Sequence, residues 1–215
     1  MVHRREIEGR ELVLGNHGAL WGNAMTWWDT ETGSVWSQPV GEAILGPLAG
    51  ERLELLPSSL STWADWKASH PDTLALDVES GSDGFDLEDM AIVVELGPSS
   101  VAYPITELRG LGVVNDVVND VPVAVVLDPE SDTWRVYSRR LDSETIELDL
   151  LDGELVETDG TKSFDISRGL ALDAGGQSLD QLPGFTSFPR DYVTFFPTGA
   201  FWTTDGLVTV ESISG

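Results

Sequence analysis

Two stretches of the chain resemble each other at a constant offset, and this internal repeat constrains the fold more than any single motif. Residues 53–76 align with residues 179–202, which lie 126 positions further on, and each stretch has an aromatic side chain between two prolines. Two upstream blocks recur in the same order: Ile7–Leu14 with Leu141–Leu148, and Asp29–Trp36 with Glu157–Phe164. Three matches in one order predict a duplication with a period of roughly 130 residues.

The predicted units are unequal. Residues 1–80 form an incomplete first unit, residues 81–90 an acidic connection, and residues 91–210 the second unit. Because a sheet unit that lacks strands exposes an edge, we expect the two units to share one core, or that edge to pair with another chain. Trp66 and Tyr192 are expected to occupy matching core positions in the two units.

Short β-branched runs bounded by turn residues dominate the local pattern, which is typical of strands. They are Ala91–Glu95, Ser100–Tyr103, Leu111–Val118, Pro122–Leu127 and Thr133–Tyr137. Asp152-Gly153 and Asp159-Gly160 suit hairpin turns. The predicted fold class is therefore mainly β: a duplicated, antiparallel β-rich unit with one or two short helices and an incomplete first copy.

Helix is the exception in this pattern. A polar N-cap at Ser61 or Thr62, two tryptophans three positions apart and a proline just beyond the end predict a helix that runs to Ser69. A second, shorter helix is predicted to begin at Pro104 and end by Gly110, because proline is favoured at the start of a helix.

The chain is strongly acidic. Its 215 residues include 37 acidic and 12 basic side chains, which give a formal net charge of −25. Such a surplus argues against a nucleic-acid or anionic-membrane binder. Only 2 of the basic residues are lysines, and the acids are spread along the chain rather than gathered in an acidic tail. Because molar salt shortens the Debye length to about 3 Å and screens this repulsion, we interpret the chain as a protein of a halophilic archaeon in a high-salt environment.

Several protein classes are made improbable by features that the sequence lacks. No stretch reaches the roughly 18 apolar residues of a transmembrane helix, and the first residues are charged where a signal peptide would be apolar. Zero cysteines exclude disulfides, thiolate zinc sites and cysteine nucleophiles. The 3 histidines have no zinc-binding spacing, and no dinucleotide, P-loop or nucleophile-elbow motif occurs, so we expect neither a metal nor a cofactor.

Three blocks occur together in a specific order: Trp28–Pro57, Thr62–Thr73 and Ala102–Pro122. They resemble the domain of unknown function 3179 family over nearly the whole chain. The resemblance implies a duplicated, predominantly β protein, often exported or lipid-anchored in bacteria and haloarchaea, without an established activity. Members usually carry a short cysteine motif before the block that begins here near Arg4, and this chain starts after that position. The second copy has Val126–Pro129 there, without cysteine, so the resemblance implies no metal or redox role for these residues.

Gly15–Asn23 is the most site-like segment, with one histidine, two carboxamides and three glycines. This composition lets backbone approach a ligand, and it makes His17 and Asn23 candidate binding residues. The second copy crosses the equivalent gap with a plain hairpin at Asp149–Val156, so the first copy carries an insertion here. The alternative interpretation is a long turn whose glycines and asparagines serve backbone geometry.

Trp36, Gln38 and Glu42 form the second candidate group, because aromatic, carboxamide and carboxylate groups together line pockets for polar or carbohydrate-like ligands. Asp29 is a candidate for holding these side chains in position without contacting the ligand itself. We expect His17 and Asn23 to border a concavity that Trp36, Gln38 or Glu42 also reaches. The alternative places Trp36 in the core, as its repeat counterpart Phe164 indicates.

These features predict a non-catalytic binding or structural module. The alternative is an uncharacterised enzyme, such as a hydrolase of a polar or glycan substrate, built around His17 and nearby carboxylates. A pocket that brings His17, Gln38 and Glu42 within hydrogen-bond reach would favour the enzyme. The sequence identifies neither the ligand, a protein partner nor the compartment, and an unpaired sheet edge would allow a homo-oligomer.

Overall fold

The computed structural model describes residues 1–75, 86–160, 162–164, 171–172 and 174–213. The acidic connection predicted at residues 81–90 is therefore described only from residue 86, and Leu76 of the first repeat stretch lies outside the described residues. The described residues are mainly β, and their strands pair antiparallel except for one pair, so the predicted β-rich fold class is confirmed. None of the described helices is long and apolar enough to cross a membrane.

Residues 1–75 contain six strands and one helix. They are β1 (Glu6–Ile7), β2 (Arg10–Glu11), β3 (Leu14–Trp21), β4 (Ala24–Asp29), β5 (Val35–Ser37), β6 (Ala43–Leu45) and α1 (Trp63–Ser69). The strands from β3 to β6 form one antiparallel sheet in chain order, and β1 pairs with β2. This region has a small core of its own, formed by Leu12, Trp36, Ala43, Leu48 and Leu53.

The longest buried strands follow a 3-10 turn at Leu87–Asp89. They belong to the series β7 (Ala91–Leu96), β8 (Ser99–Pro104), α2 (Ile105–Arg109), β9 (Val113–Val118), β10 (Val121–Leu127), β11 (Trp134–Ser138), β12 (Arg140–Leu141) and β13 (Glu144–Thr145). All five strands predicted from β-branched runs are present, and α2 lies within its predicted range. Asn119 and Asp120 form the β9–β10 turn with φ of 49° and 61°, as a two-residue type I′ hairpin requires.

The remaining described elements are short. They are β14 (Leu148–Leu151), β15 (Glu154–Glu157), β16 (Ser163–Phe164), β17 (Ala171–Leu172), β18 (Ser178–Leu179), β19 (Phe185–Ser187), α3 (Pro189–Phe195), β20 (Ala200–Thr203), β21 (Gly206–Thr209) and α4 (Val210–Ile213). The strands from β14 to β16 form a three-stranded sheet. The predicted turn at Asp152-Gly153 joins β14 to β15, with φ of 51° and 80°.

The main core lies between two sheets. One has the order β19-β7-β8-β20-β21, with β8 and β20 parallel, and the other has the order β11-β10-β9. Their facing side chains include the fully buried Ile92, Val125 and Val136, and burial of such a side chain contributes roughly 1.5–3 kcal/mol. The opposite face of the five-stranded sheet packs against Tyr192 of α3, and the opposite face of the other sheet packs against Phe164.

Residues 1–75 pack directly onto the rest of the chain. Val40 and Leu55 pack against the hydrophobic cluster on the α3 side of the five-stranded sheet. Leu60 packs against the main core and forms a β-bridge with Trp134. The first region thus has its own cluster and also contacts the others, and one core shared by the two units stays a prediction.

α1 has the predicted bounds but not the predicted burial. Oγ1 of Thr62 accepts a hydrogen bond from the backbone N of Asp65 at 3.2 Å, which caps the helix. Trp66 is nevertheless 41% exposed, whereas Tyr192 is fully buried. The prediction of matching core positions is wrong, because α1 buries none of its residues while α3 packs its tyrosine onto a sheet.

The two stretches related by sequence share their backbone pattern. α1 and α3 have equal lengths and begin at aligned residues. Three backbone hydrogen bonds recur between aligned residues: Leu12 N to Arg5 O and Ile146 N to Arg139 O; Arg4 N to Glu54 O and Ser138 N to Asp180 O; Leu56 N to Val2 O and Leu182 N to Val136 O. Ser58 Oγ even donates to the carbonyl of its own counterpart, Gly184, at 3.3 Å. This correspondence supports the predicted duplication.

Candidate ligand-binding cleft

Trp36 lies in the core of the first region. It is fully buried, and its Nε1 donates to Oδ2 of Asp29 at 2.9 Å. Asp29 is also fully buried and accepts from the backbone N of Thr32 at 2.5 Å. Burial raises the pKa of Asp29, but hydrogen bonds from Trp36, Thr32 and Ser34 outweigh burial and hold that pKa below its ordinary value. The structure therefore places this candidate pair in the core, as the alternative interpretation of Trp36 expects, and not at a concavity.

Gly15–Asn23 is the outer part of the β3–β4 hairpin rather than a long turn. The strands stay paired along the hairpin, with a bulge between Asn16 and Leu20. Gly22 and Asn23 form its two-residue turn with φ of 54° and 67°. A type I′ turn requires positive φ at both positions, which explains the residue types found there.

His17 and Asn23 are both exposed on this hairpin. Nδ1 of His17 lies 3.2 Å from Oγ1 of Thr26, on the neighbouring strand. The three cavities described for this part of the chain are lined by none of His17, Asn23, Trp36 and Gln38. The structure therefore gives no support to one concavity shared by the two candidate groups.

Gln38 and Glu42 lie in the segment between β5 and β6. The carbonyl oxygen of Gln38 is 3.0 Å from Nε2 of His3. Glu42 is half-buried and lines a cleft between the first region and the β7–β8 turn. Among the described residues, Glu42 is thus the candidate from the sequence that reaches a cavity.

The interunit cleft, as we name it, consists of two adjoining cavities of about 270 Å³ and 250 Å³ that share Val40, Arg52, Glu95 and Gly97. Nη2 of Arg52 donates to Oε1 of Glu95 at 3.0 Å and to the carbonyl of Val40 at 3.1 Å. Nε of Arg52 lies 3.8 Å from Oε2 of Glu42. One guanidinium therefore bridges two carboxylates inside the cleft.

An aromatic wall and several hydroxyl groups complete the larger cavity. Trp21, next to the tip of the β3–β4 hairpin, is 46% exposed, and its ring centroid lies 5.4 Å from that of Phe195 on α3. The hydroxyl-bearing residues are Ser99, Ser100, Thr194 and Thr198. An exposed indole beside fixed charges suits a ligand with both apolar and hydrogen-bonding faces.

His3 lines the smaller cavity. Burial lowers the pKa of His3, so its imidazole is neutral at neutral pH. The proton then resides on Nε2, which donates to the carbonyl of Gln38. The backbone of Leu53 also interacts with this ring.

Sequence reasoning missed His3, Arg52 and Glu95. Glu95 ends an apolar, β-branched run. Because a charged side chain in a buried strand needs a partner, this position could have been recognised as part of an interaction site. Arg52 offered no comparable signal, since its role depends on two acids that are distant in sequence.

Residues 1–87 match the family model described as Protein of unknown function (DUF3179). This segment is therefore similar to the DUF3179 family. The match covers a shorter range than the resemblance of the sequence blocks indicated. No curated protein and no solved structure matches the chain. The DUF3179 segment supplies Trp21, Glu42 and Arg52 of the interunit cleft, whereas Glu95 and Phe195 lie outside it.

The contact between Arg52 of the DUF3179 segment and Glu95 affects how the stability of the fold depends on pH. Burial raises the pKa of Glu95, whose side chain is 17% exposed, and the charge of Arg52 offsets part of this rise. An acid with a raised pKa stabilises the fold while it is protonated, and this contribution is lost as pH rises from its ordinary pKa through the raised one. Glu95→Gln is therefore expected to lose less stability than the wild type between about pH 4 and pH 7.

Urea unfolding at several pH values measures this difference. Glu6→Gln is the control, because Glu6 is exposed on β1 and its replacement should leave the pH profile unchanged. Parallel profiles for the wild type and Glu95→Gln would show that burial of Glu95 does not affect stability.

Proposed function

We propose that this protein is a non-catalytic binding module that takes a polar, hydroxyl-bearing ligand such as a saccharide in the interunit cleft. The observation that carries the proposal is Arg52, held between Glu42 and Glu95 beside the exposed ring of Trp21. Charged groups that already fix one another lose little freedom when they bind hydroxyl groups. The indole face can cover the apolar face of a sugar ring.

A hydrolase built around His17 is the weaker alternative. His17 is exposed and contacts the hydroxyl of Thr26, whereas a general base is more effective when a carboxylate orients it. Glu95 and Glu42, which both lie beside Arg52, favour a different hydrolase site, because glycosidases use two carboxylates. Arg52 interacts with both acids, which favours holding a ligand over transferring a proton.

Titration calorimetry with a panel of mono- and oligosaccharides tests the proposal. At least one saccharide is expected to bind, and Trp21→Ala and Glu95→Gln are each expected to weaken its affinity about tenfold or more. Trp63→Ala is the matched control, because Trp63 is similarly exposed but lies on α1, outside the cleft.

Absence of binding to every saccharide, or binding that survives both cleft substitutions, would overturn the proposal. Hydrolysis of a bound saccharide by the wild type, with loss of hydrolysis in Glu95→Gln, would instead establish the hydrolase alternative.

The acidic surface also indicates the environment in which the protein works. A net charge of −25 is consistent with a halophilic archaeal origin and argues against nucleic acid as a partner. A homo-oligomer stays a prediction. A second copy would find an open edge at β21, where Leu207 and Val208 are exposed.

A further inference from the structure

A separate cavity of about 260 Å³ lies between α1, the β10–β11 loop and the turn of the β14–β15 hairpin. We call it the Arg135 cavity. Its lining includes Trp66, His70, Asp128, Thr133, Arg135 and Glu154, none of which lines the interunit cleft.

Arg135 is a buried residue whose Nε has no hydrogen-bond partner among the described residues. Only 8% of the residue is exposed, and its Nε is inaccessible to water and makes no hydrogen bond. Within the described part of the chain, the guanidinium forms no ion pair either. Leaving a buried N–H donor unpaired is costly, and a guanidinium that lines a cavity can satisfy its donors with an anionic group from solution.

Arg139, on the segment after the same strand, shows how a structural arginine is satisfied in this protein. It is 5% exposed and donates to the carbonyls of Val123, Ile146 and Asp116 at 2.8–3.2 Å. Arg135 is buried to a similar degree, but among the described residues no such carbonyl acceptor is found for its Nε.

The rim of the cavity decides which anion fits. Asp65, Asp128 and Glu154 line the same space, so a multiply charged anion such as phosphate meets repulsion at the rim. A molecule with one carboxylate and one ammonium group instead matches both the arginine and the acids. The carboxylate suits the planar guanidinium, which binds carboxylates through two parallel hydrogen bonds.

Trp66 and His70 form an aromatic surface of the cavity on the α1 side. Their rings are stacked with centroids 3.9 Å apart, and both line the cavity. A tryptophan face attracts an ammonium group through cation–π interaction. This role also explains why Trp66 is exposed and does not pack in the core.

We propose that the Arg135 cavity binds a small zwitterion of the amino-acid type, with its carboxylate on Arg135 and its ammonium group toward Trp66 and the rim acids. The site is independent of the interunit cleft and of the ligand proposed there.

The repeat alignment supports this assignment. The helix and hairpin that line the Arg135 cavity are α1 and β14–β15, and those that line the interunit cleft are α3 and β3–β4. These elements correspond pairwise in the duplication. Each cavity is thus built from the helix of one unit and the hairpin of the other, as expected for two sites that diverged from one.

Titration calorimetry of the full chain with glycine, L-serine and L-lysine, at constant KCl concentration, tests the proposal. At least one of these probes is expected to bind the wild type, and Arg135→Gln is expected to weaken binding at least tenfold. Arg190→Gln removes the same charge from an arginine whose side chain is 79% exposed, and it should bind like the wild type.

A second variant keeps the proposal testable if Arg135→Gln does not fold. Trp66→Ala changes an exposed residue of the cavity and should weaken binding at least fivefold, whereas Trp63→Ala on the same helix should not. The proposal is overturned if none of the three probes binds, if binding survives both cavity variants, or if inorganic phosphate binds as tightly as the amino acids.

Discussion

Replacement of Arg139 by leucine is expected to destabilise the protein by about 4 kcal/mol or more. The buried guanidinium donates to three carbonyl groups, those of Val123 on β10, Asp116 on β9 and Ile146 after β13, and it also contacts the carboxylate of Glu147. Leucine would fill part of the space but leave these acceptors without donors. Urea unfolding at constant salt measures the loss.

Arg5 provides the matched control. It aligns with Arg139 in the proposed duplication, but its side chain is 58% exposed and pairs with Glu11 at the surface. Arg5→Leu is expected to change stability by no more than about 0.5 kcal/mol, as is usual for exposed ion pairs. If Arg139→Leu and Arg5→Leu lowered the free energy of unfolding equally, the hydrogen bonds from Arg139 to the carbonyl groups would not explain its contribution to stability.

Salt is expected to change stability as strongly as any single substitution. The net charge of −25 is carried mostly on surface acids, and their mutual repulsion is relieved in the unfolded chain. The thermal unfolding midpoint should therefore rise steeply from about 0.1 M to 3 M KCl, over which the Debye length falls from about 10 Å to below 3 Å. Differential scanning calorimetry across this range measures the rise.

A charge variant separates repulsion from general salt effects on folding. Glu130, Glu144 and Glu211 are exposed, and their replacement by lysine reduces the net negative charge. This triple variant should unfold at a higher temperature than the wild type in low salt and show a weaker salt dependence. A midpoint of the wild type that stays constant with salt, or equal slopes for both proteins, would contradict the argument.

Local sequence signals predicted the local structure well. Thr62 caps α1, and the turn at Asp152-Gly153 has the positive φ values that its residue types favour. These features depend on a few adjacent residues, so a single sequence contains the information needed to place them. The matched family segment at residues 1–87 was also recognisable from blocks of sequence.

Features that depend on distant residues were harder to predict. Trp36 and Trp66 belong to similar aromatic patterns, yet one is buried against Asp29 and the other is exposed beside a cavity. The difference is set by what packs against each side chain, which periodicity does not encode. Likewise, Arg135 and Arg139 lie on one stretch of chain, and the sequence gives no sign of the backbone acceptors that Arg139 has.

The pairing of β7 and β8 has a consequence for how the protein acquires its fold. The two strands form a hairpin soon after they are synthesised, but their outer edges are covered by β19 and β20, which come from the far end of the described chain. Pairing between residues so distant in sequence is slow, and open strand edges promote association between chains. Until β19 and β20 have been synthesised, the apolar β7–β8 hairpin of a nascent chain can associate with other copies of the chain. The high negative charge of every copy opposes this association, because the chains repel one another.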